Sequence, residues 1–69
     1  MAKKIEVRIN KDELAATPNV YNRTLKVTQG MQNAGIPVIG DLGLEGFSRD
    51  GRLVIEQDFF DLIFTWEDA

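Results

Sequence analysis

The sequence predicts a small α+β domain: one helix packed on a mainly antiparallel sheet of four to five strands, in βαβββ order with two C-terminal hairpins. Three observations lead there. Ile5, Val7 and Ile9 alternate with polar residues, the period of a strand with one apolar face. A helical pattern occupies residues 18–34 and meets a stop at Gly35-Ile36-Pro37. The last third reads strand, Asp50-Gly51, strand, Asp58-Phe59-Phe60-Asp61, strand, which is the punctuation of two successive hairpins. A chain of 69 residues suffices for a single domain, 1–69, with one thin core.

Taken in order, the first strand is flanked by Lys4, Glu6, Arg8 and Asn10 on its polar side. Lys11 to Ala16 add a short helical turn, with Asn10 as its cap. Thr17-Pro18 then reads as N-cap and first helical residue. On a helical wheel Val20, Thr24, Val27, Met31 and Ala34 share one side, and Asn22, Arg23, Lys26, Gln29 and Asn33 the other. Residues 24–28 also alternate and favour strands. The helix is preferred because its stop signal is clean: Gly35 suits a C′ position and Pro37 cannot continue the helix.

Pro37-Val38-Ile39 reads as a short strand, followed by a segment punctuated by Gly40, Gly43 and Gly46. An Asp50-Gly51 turn of type I′ pairs Arg49 with Arg52, Phe47 with Val54 and Glu45 with Glu56. The loop at 58–61 pairs Gln57 with Leu62, Ile55 with Phe64 and Leu53 with Trp66, and sets Arg52 opposite Glu67. Both registers put Leu44, Leu53, Ile55, Leu62, Phe64 and Trp66 on one face. The expected core is therefore Ile5, Val7, Val20, Val27, Met31, Leu53, Ile55, Leu62, Phe64 and Trp66.

Composition narrows the function. Hydrophobic residues make up 43% and charged residues 28%, values of a folded globular chain. With neither Cys nor His, disulfide scaffolds, zinc fingers, thiol nucleophiles and imidazole bases are excluded. No apolar run approaches membrane-spanning length and no signal peptide is evident, so a cytoplasmic protein is expected. Lys3, Lys4, Arg8, Lys11, Arg23 and Lys26 against Glu6, Asp12 and Glu13 give residues 1–35 a charge of +3. Residues 36–69 carry Arg49 and Arg52 against eight acids, which is −6. A positive half folding on a negative half accounts for this; an acidic C-terminal surface attracting a basic partner is the sharper reading. No basic stripe interleaved with aromatics marks a nucleic-acid binder.

The recognisable motifs fail on chemistry. Gly40-Asp41-Leu42-Gly43 has the spacing of the Gly-x-x-Gly clamp of KH nucleic-acid-binding domains, but Asp41 repels phosphate and a hairpin follows where a helix belongs. As a calcium loop, the segment from Asp41 has Arg52 where a bidentate Glu is needed. Gly40, Gly43 and Gly46 are misspaced for a dinucleotide fingerprint. Glu45 with Glu56 is the one derivable carboxylate pair, and on an open sheet face nothing separates their pKa values. Neither a cofactor site nor an enzyme is expected.

Two surfaces remain. The second sheet face presents Phe47, Val54 and Ile63 in one cross-strand row, rimmed by Glu45, Glu56, Glu67, Arg49, Arg52 and Thr65. An apolar row inside a charged rim is interface anatomy. Phe59 and Phe60 sit together at a hairpin tip between Asp58 and Asp61, where both cannot reach the core, and an exposed aromatic is a typical binding anchor. The expectation is a small non-catalytic binding protein, of the kind phage or mobile elements use to inhibit or modulate a host protein. Its partner is a protein, a host protein or its own copy, with no nucleic acid and no membrane involved. Two alternatives are a virion or assembly component, and an oligomer that sequesters a small anionic ligand at residues 40–46 with Arg49 or Arg52.

Overall fold

The computed structural model describes residues 4–69. Its elements are β1 (Lys4–Asn10), α1 (Lys11–Ala16), α2 (Val20–Asn33), β2 (Gly51–Gln57) and β3 (Asp61–Asp68). The strands form one antiparallel sheet in the order β1-β3-β2. It is an α+β fold, and the sheet has three strands where four to five were expected.

Local chemistry accounts for most boundaries. Asn10 caps α1 as expected, its side-chain oxygen accepting from the Glu13 N–H at 3.0 Å. The cap of α2 is Asn19 rather than Thr17: its Oδ1 accepts from the Asn22 N–H at 2.9 Å, and its φ of 59° is one that Asn tolerates. Thr17 serves differently, its carbonyl accepting from Arg23 Nε at 2.9 Å. At the other end the stop signal operates as read. Gly35 takes φ 97°, its N–H donates to Gln32 O, and the Ile36 N–H reaches back to Met31 O, both at 3.0 Å. This pair of bonds is a Schellman closure, and it turns Ile36 down beside Met31 in the core.

The β2–β3 hairpin has the register derived from its loop. Leu53 lies opposite Trp66, Ile55 opposite Phe64, Gln57 opposite Leu62 and Arg52 opposite Glu67. On the far side of β3, Ile5 faces Trp66 and Val7 faces Phe64. One sheet face thus carries Ile5, Val7, Ile9, Leu62, Phe64, Trp66, Leu53 and Ile55, and α2 covers the β1 side of it.

The other expected hairpin is not formed. Residues 36–48 fold back on themselves: Val38 and Phe47 make an isolated bridge, Ile39 N–H donates to Gly46 O at 3.0 Å, and Ser48 N–H donates to Pro37 O at 2.9 Å. This places the Phe47 ring on Trp66, centroids 4.6 Å apart, an aromatic contact that leaves Phe47 38% exposed. Gly51 opens β2 instead of closing a type I′ turn. A Cβ there would overlap the Trp66 indole, so the indole lies flush against the backbone.

The buried apolar side chains are Ile9, Leu14, Met31, Ile36, Val38, Phe64 and Trp66, with Ile5, Val7, Val27, Leu53 and Leu62 packed around them. Trp66, 1% exposed, is the centre; its Nε1–H donates to Asp68 Oδ1 at 2.7 Å. Two expected core residues lie outside. Val20, at the start of α2, is 73% exposed, and Ile55 is 61% exposed because α2 packs mainly on β1.

Candidate protein-binding surface

The β2–β3 connection presents Phe59 and Phe60 outward, 85% and 65% exposed. Their rings meet edge to face with centroids 4.9 Å apart. Asp58 fixes the backbone beneath them. Its Oδ1 accepts from the Phe60 N–H at 2.9 Å and the Asp61 N–H at 2.7 Å, a side chain mimicking a turn. Its Oδ2 accepts from Arg8 Nη1 at 2.7 Å, which ties the loop to β1, and Arg8 also lies 3.6 Å from Asp61. The donors hold the Asp58 carboxyl below its ordinary range, the Asp61 N–H first, then Arg8, then the Phe60 N–H. The same hydrogen bond raises the Arg8 pKa. Both Phe rings are thus shown to solvent from a fastened loop, where sequence alone left room for Phe59 to fold back.

The second sheet face is less apolar than expected. Val54 and Ile63 are on it and half-buried, Val54 opposite Thr65, Ile63 between Glu56 and Arg8. Phe47 is absent from this row, having moved to Trp66 on the other face. Along one end Glu67 accepts from Arg52 Nη2 at 2.9 Å and lies 3.3 Å from Lys4 Nζ, and these two cations, Lys4 first, lower its pKa. Glu56 is exposed on β2 and makes no ion pair among the described residues. Glu45 is not across from it: with residues 44–46 out of any strand, its side chain lies over Gly40. The one derivable carboxylate pair is therefore not assembled.

Two of the depressions that flank α2 bear on the expected sites. The first, about 410 Å³, is lined by Tyr21, Leu42, Leu44, Asp41, Glu45 and Gly40. It is the glycine-rich segment considered for an anionic ligand, and its lining holds two carboxylates and no cation. Arg49 and Arg52 are engaged elsewhere, with Asp68 at 2.6 Å and Glu67 at 2.9 Å. The second, about 310 Å³, is an open apolar groove between α2 and β2 floored by Phe64, Leu53 and Ile55.

Sequence reasoning named the aromatic tip but missed the residues that hold it, Arg8 and Asp58. The signal for Asp58 was present, since an Asp two residues before a turn amide is a standard side-chain cap. Arg8 carried no such mark, because its partner lies fifty residues away.

No helix among the described residues is long and apolar enough to cross a membrane. Comparison with known proteins gives no matching family model, no matching curated protein and no matching solved structure.

Proposed function

We propose that the chain is a small non-catalytic protein-binding domain that inhibits or modulates a larger protein by occupying one of its surfaces through Phe59 and Phe60. The observation that supports this most is the pair of adjacent, solvent-facing Phe rings on a loop fastened by Asp58 and Arg8. Exposing two large apolar rings costs solubility, and a loop already ordered before binding loses little entropy on docking. Tip aromatics of this kind fill an apolar pocket on the partner. Beside them Arg8 is already neutralised by Asp58, whereas Glu56, two residues before the loop, makes no ion pair within the chain among the described residues. That carboxylate steers the tip toward a basic surface.

Photo-crosslinking tests this. With a benzophenone amino acid at position 60, a protein from the native cells is expected to crosslink saturably. Unlabelled wild-type chain should compete, and the doubly substituted Phe59→Ala/Phe60→Ala chain should not. Equal competition by both would remove the tip from the binding surface.

A further inference from the structure

β2 is an edge strand, and its free edge has a self-complementary order of residues. At the hairpin end the Asp58 N–H donates to the Asp61 carbonyl at 3.0 Å, and at the far end the Ala69 N–H donates to the Asp50 carbonyl at 3.3 Å. These bonds set the parity of an antiparallel pair. The even-numbered residues of β2 turn their N–H and C=O groups to β3; Gly51, Leu53, Ile55 and Gln57 turn theirs outward. Among the described residues none of these four makes a backbone hydrogen bond outside the sheet.

We propose that this edge pairs with the β2 edge of a second copy, antiparallel about a two-fold axis at Val54, to give a continuous six-stranded sheet. Four features meet in that register. Leu53 and Ile55, whose backbone groups point outward, face the second copy's Ile55 and Leu53 as hydrogen-bonded pairs, and Gly51 and Gln57 face one another in the same way. Ile55, left 61% exposed on the core side, gains an apolar neighbour. On the opposite face Arg52 lies across from the second copy's Glu56, and Glu56 from the second copy's Arg52, a charge match made twice by symmetry. Glu56 has no ion-pair partner within its own chain among the described residues. The β1 edge is less suited, because α1 and α2 pack against that side. This pairing does not use the aromatic rings and takes from the docking reading only the Glu56 carboxylate, so loss of the dimer and loss of docking through Phe59 and Phe60 are read separately.

The chain has no cysteine, which makes a register-specific test clean. Residues at the two-fold form a non-hydrogen-bonded pair with Cα atoms about 4.5 Å apart, within disulfide range. Val54→Cys should therefore form a covalent dimer under mild oxidation, and Val7→Cys on the other edge should not. Sedimentation of the wild-type chain should show a dimer. Glu56→Arg, which sets cations opposite cations, should weaken it at least about tenfold, as should Arg52→Glu. Mixing these two variants should restore a heterodimer, because every charge pair across the edge is then complementary. Far-ultraviolet circular dichroism establishes that each variant is folded. A wild-type chain that stays monomeric up to about 1 mM, a dimer indifferent to Glu56→Arg, crosslinking at Val7→Cys in preference to Val54→Cys, or failure of the mixture to dimerise would each overturn the proposal.

Discussion

Arg8 Nη1 lies 2.7 Å from Asp58 Oδ2, joining the first strand to the loop that carries both exposed Phe rings. The sequence separates these residues by fifty positions, and the antiparallel pairing of β1 with β3 brings them together. Replacing Arg8 by Ala should leave the fold intact and loosen the loop. Faster amide exchange at Phe60 and Asp61 with unchanged exchange at Phe64 is the expected result.

The same contact gives the tip an acid limit. Asp58 is held below its ordinary value of 3.8 by the Asp61 N–H, Arg8 and the Phe60 N–H, and Glu67 below 4.5 by Lys4 and Arg52. A carboxyl whose folded pKa is depressed stabilises the folded state fully above its unfolded value, and that contribution is lost as pH falls through the folded one. The Phe60 amide resonance should be constant from pH 8 to about 5 and shift only as the pH drops below 3.8. Asp58→Asn should abolish that shift.

Core and edge should separate sharply in stability. Phe64 is 5% exposed and Ile55, its cross-strand neighbour, 61%. Phe64→Ala should destabilise by about 3–5 kcal/mol, close to the whole stability of so small a domain, whereas Ile55→Ala should cost under about 1 kcal/mol. Urea unfolding of the two variants, at concentrations where self-association is absent, measures both.

Gly51 should resist the smallest substitution. A Cβ at this position would overlap the Trp66 indole and press on the Glu67 carbonyl. Gly51→Ala should cost about 1–3 kcal/mol, and near-ultraviolet circular dichroism should show Trp66 displaced. A residue 51 that accepts Ala freely would mean that the indole does not lie against this backbone.

What the sequence made legible follows from locality. The β2–β3 register was readable because a four-residue loop fixes which residues face each other, and Asn10 and Gly35 were readable because caps act within one turn. The Asp50-Gly51 hairpin was misread for a non-local reason. Asp50 and Gly51 do not take the positive φ of a type I′ turn; Gly51 opens β2, and Phe47 bridges Val38 and stacks on Trp66 instead of pairing with Val54. That also removed Phe47 from the candidate surface and separated Glu45 from Glu56. Ile55 was expected inside because strand alternation names the face a residue lies on and not whether a helix reaches it. The aromatic tip was legible because adjacent residues in a short loop cannot both turn inward.

In the proposed docking, Phe59 and Phe60 bind the partner and do not hold the fold. The most direct measurement is the affinity of the crosslinked partner, once purified, for the wild-type chain and for Phe59→Ala/Phe60→Ala, alongside the unfolding free energy of each. The expected result is an affinity loss of about 2–4 kcal/mol, roughly thirtyfold to a thousandfold, with stability changed by less than about 0.5 kcal/mol. Unchanged affinity, or an affinity loss matched by an equal loss of stability, would contradict it.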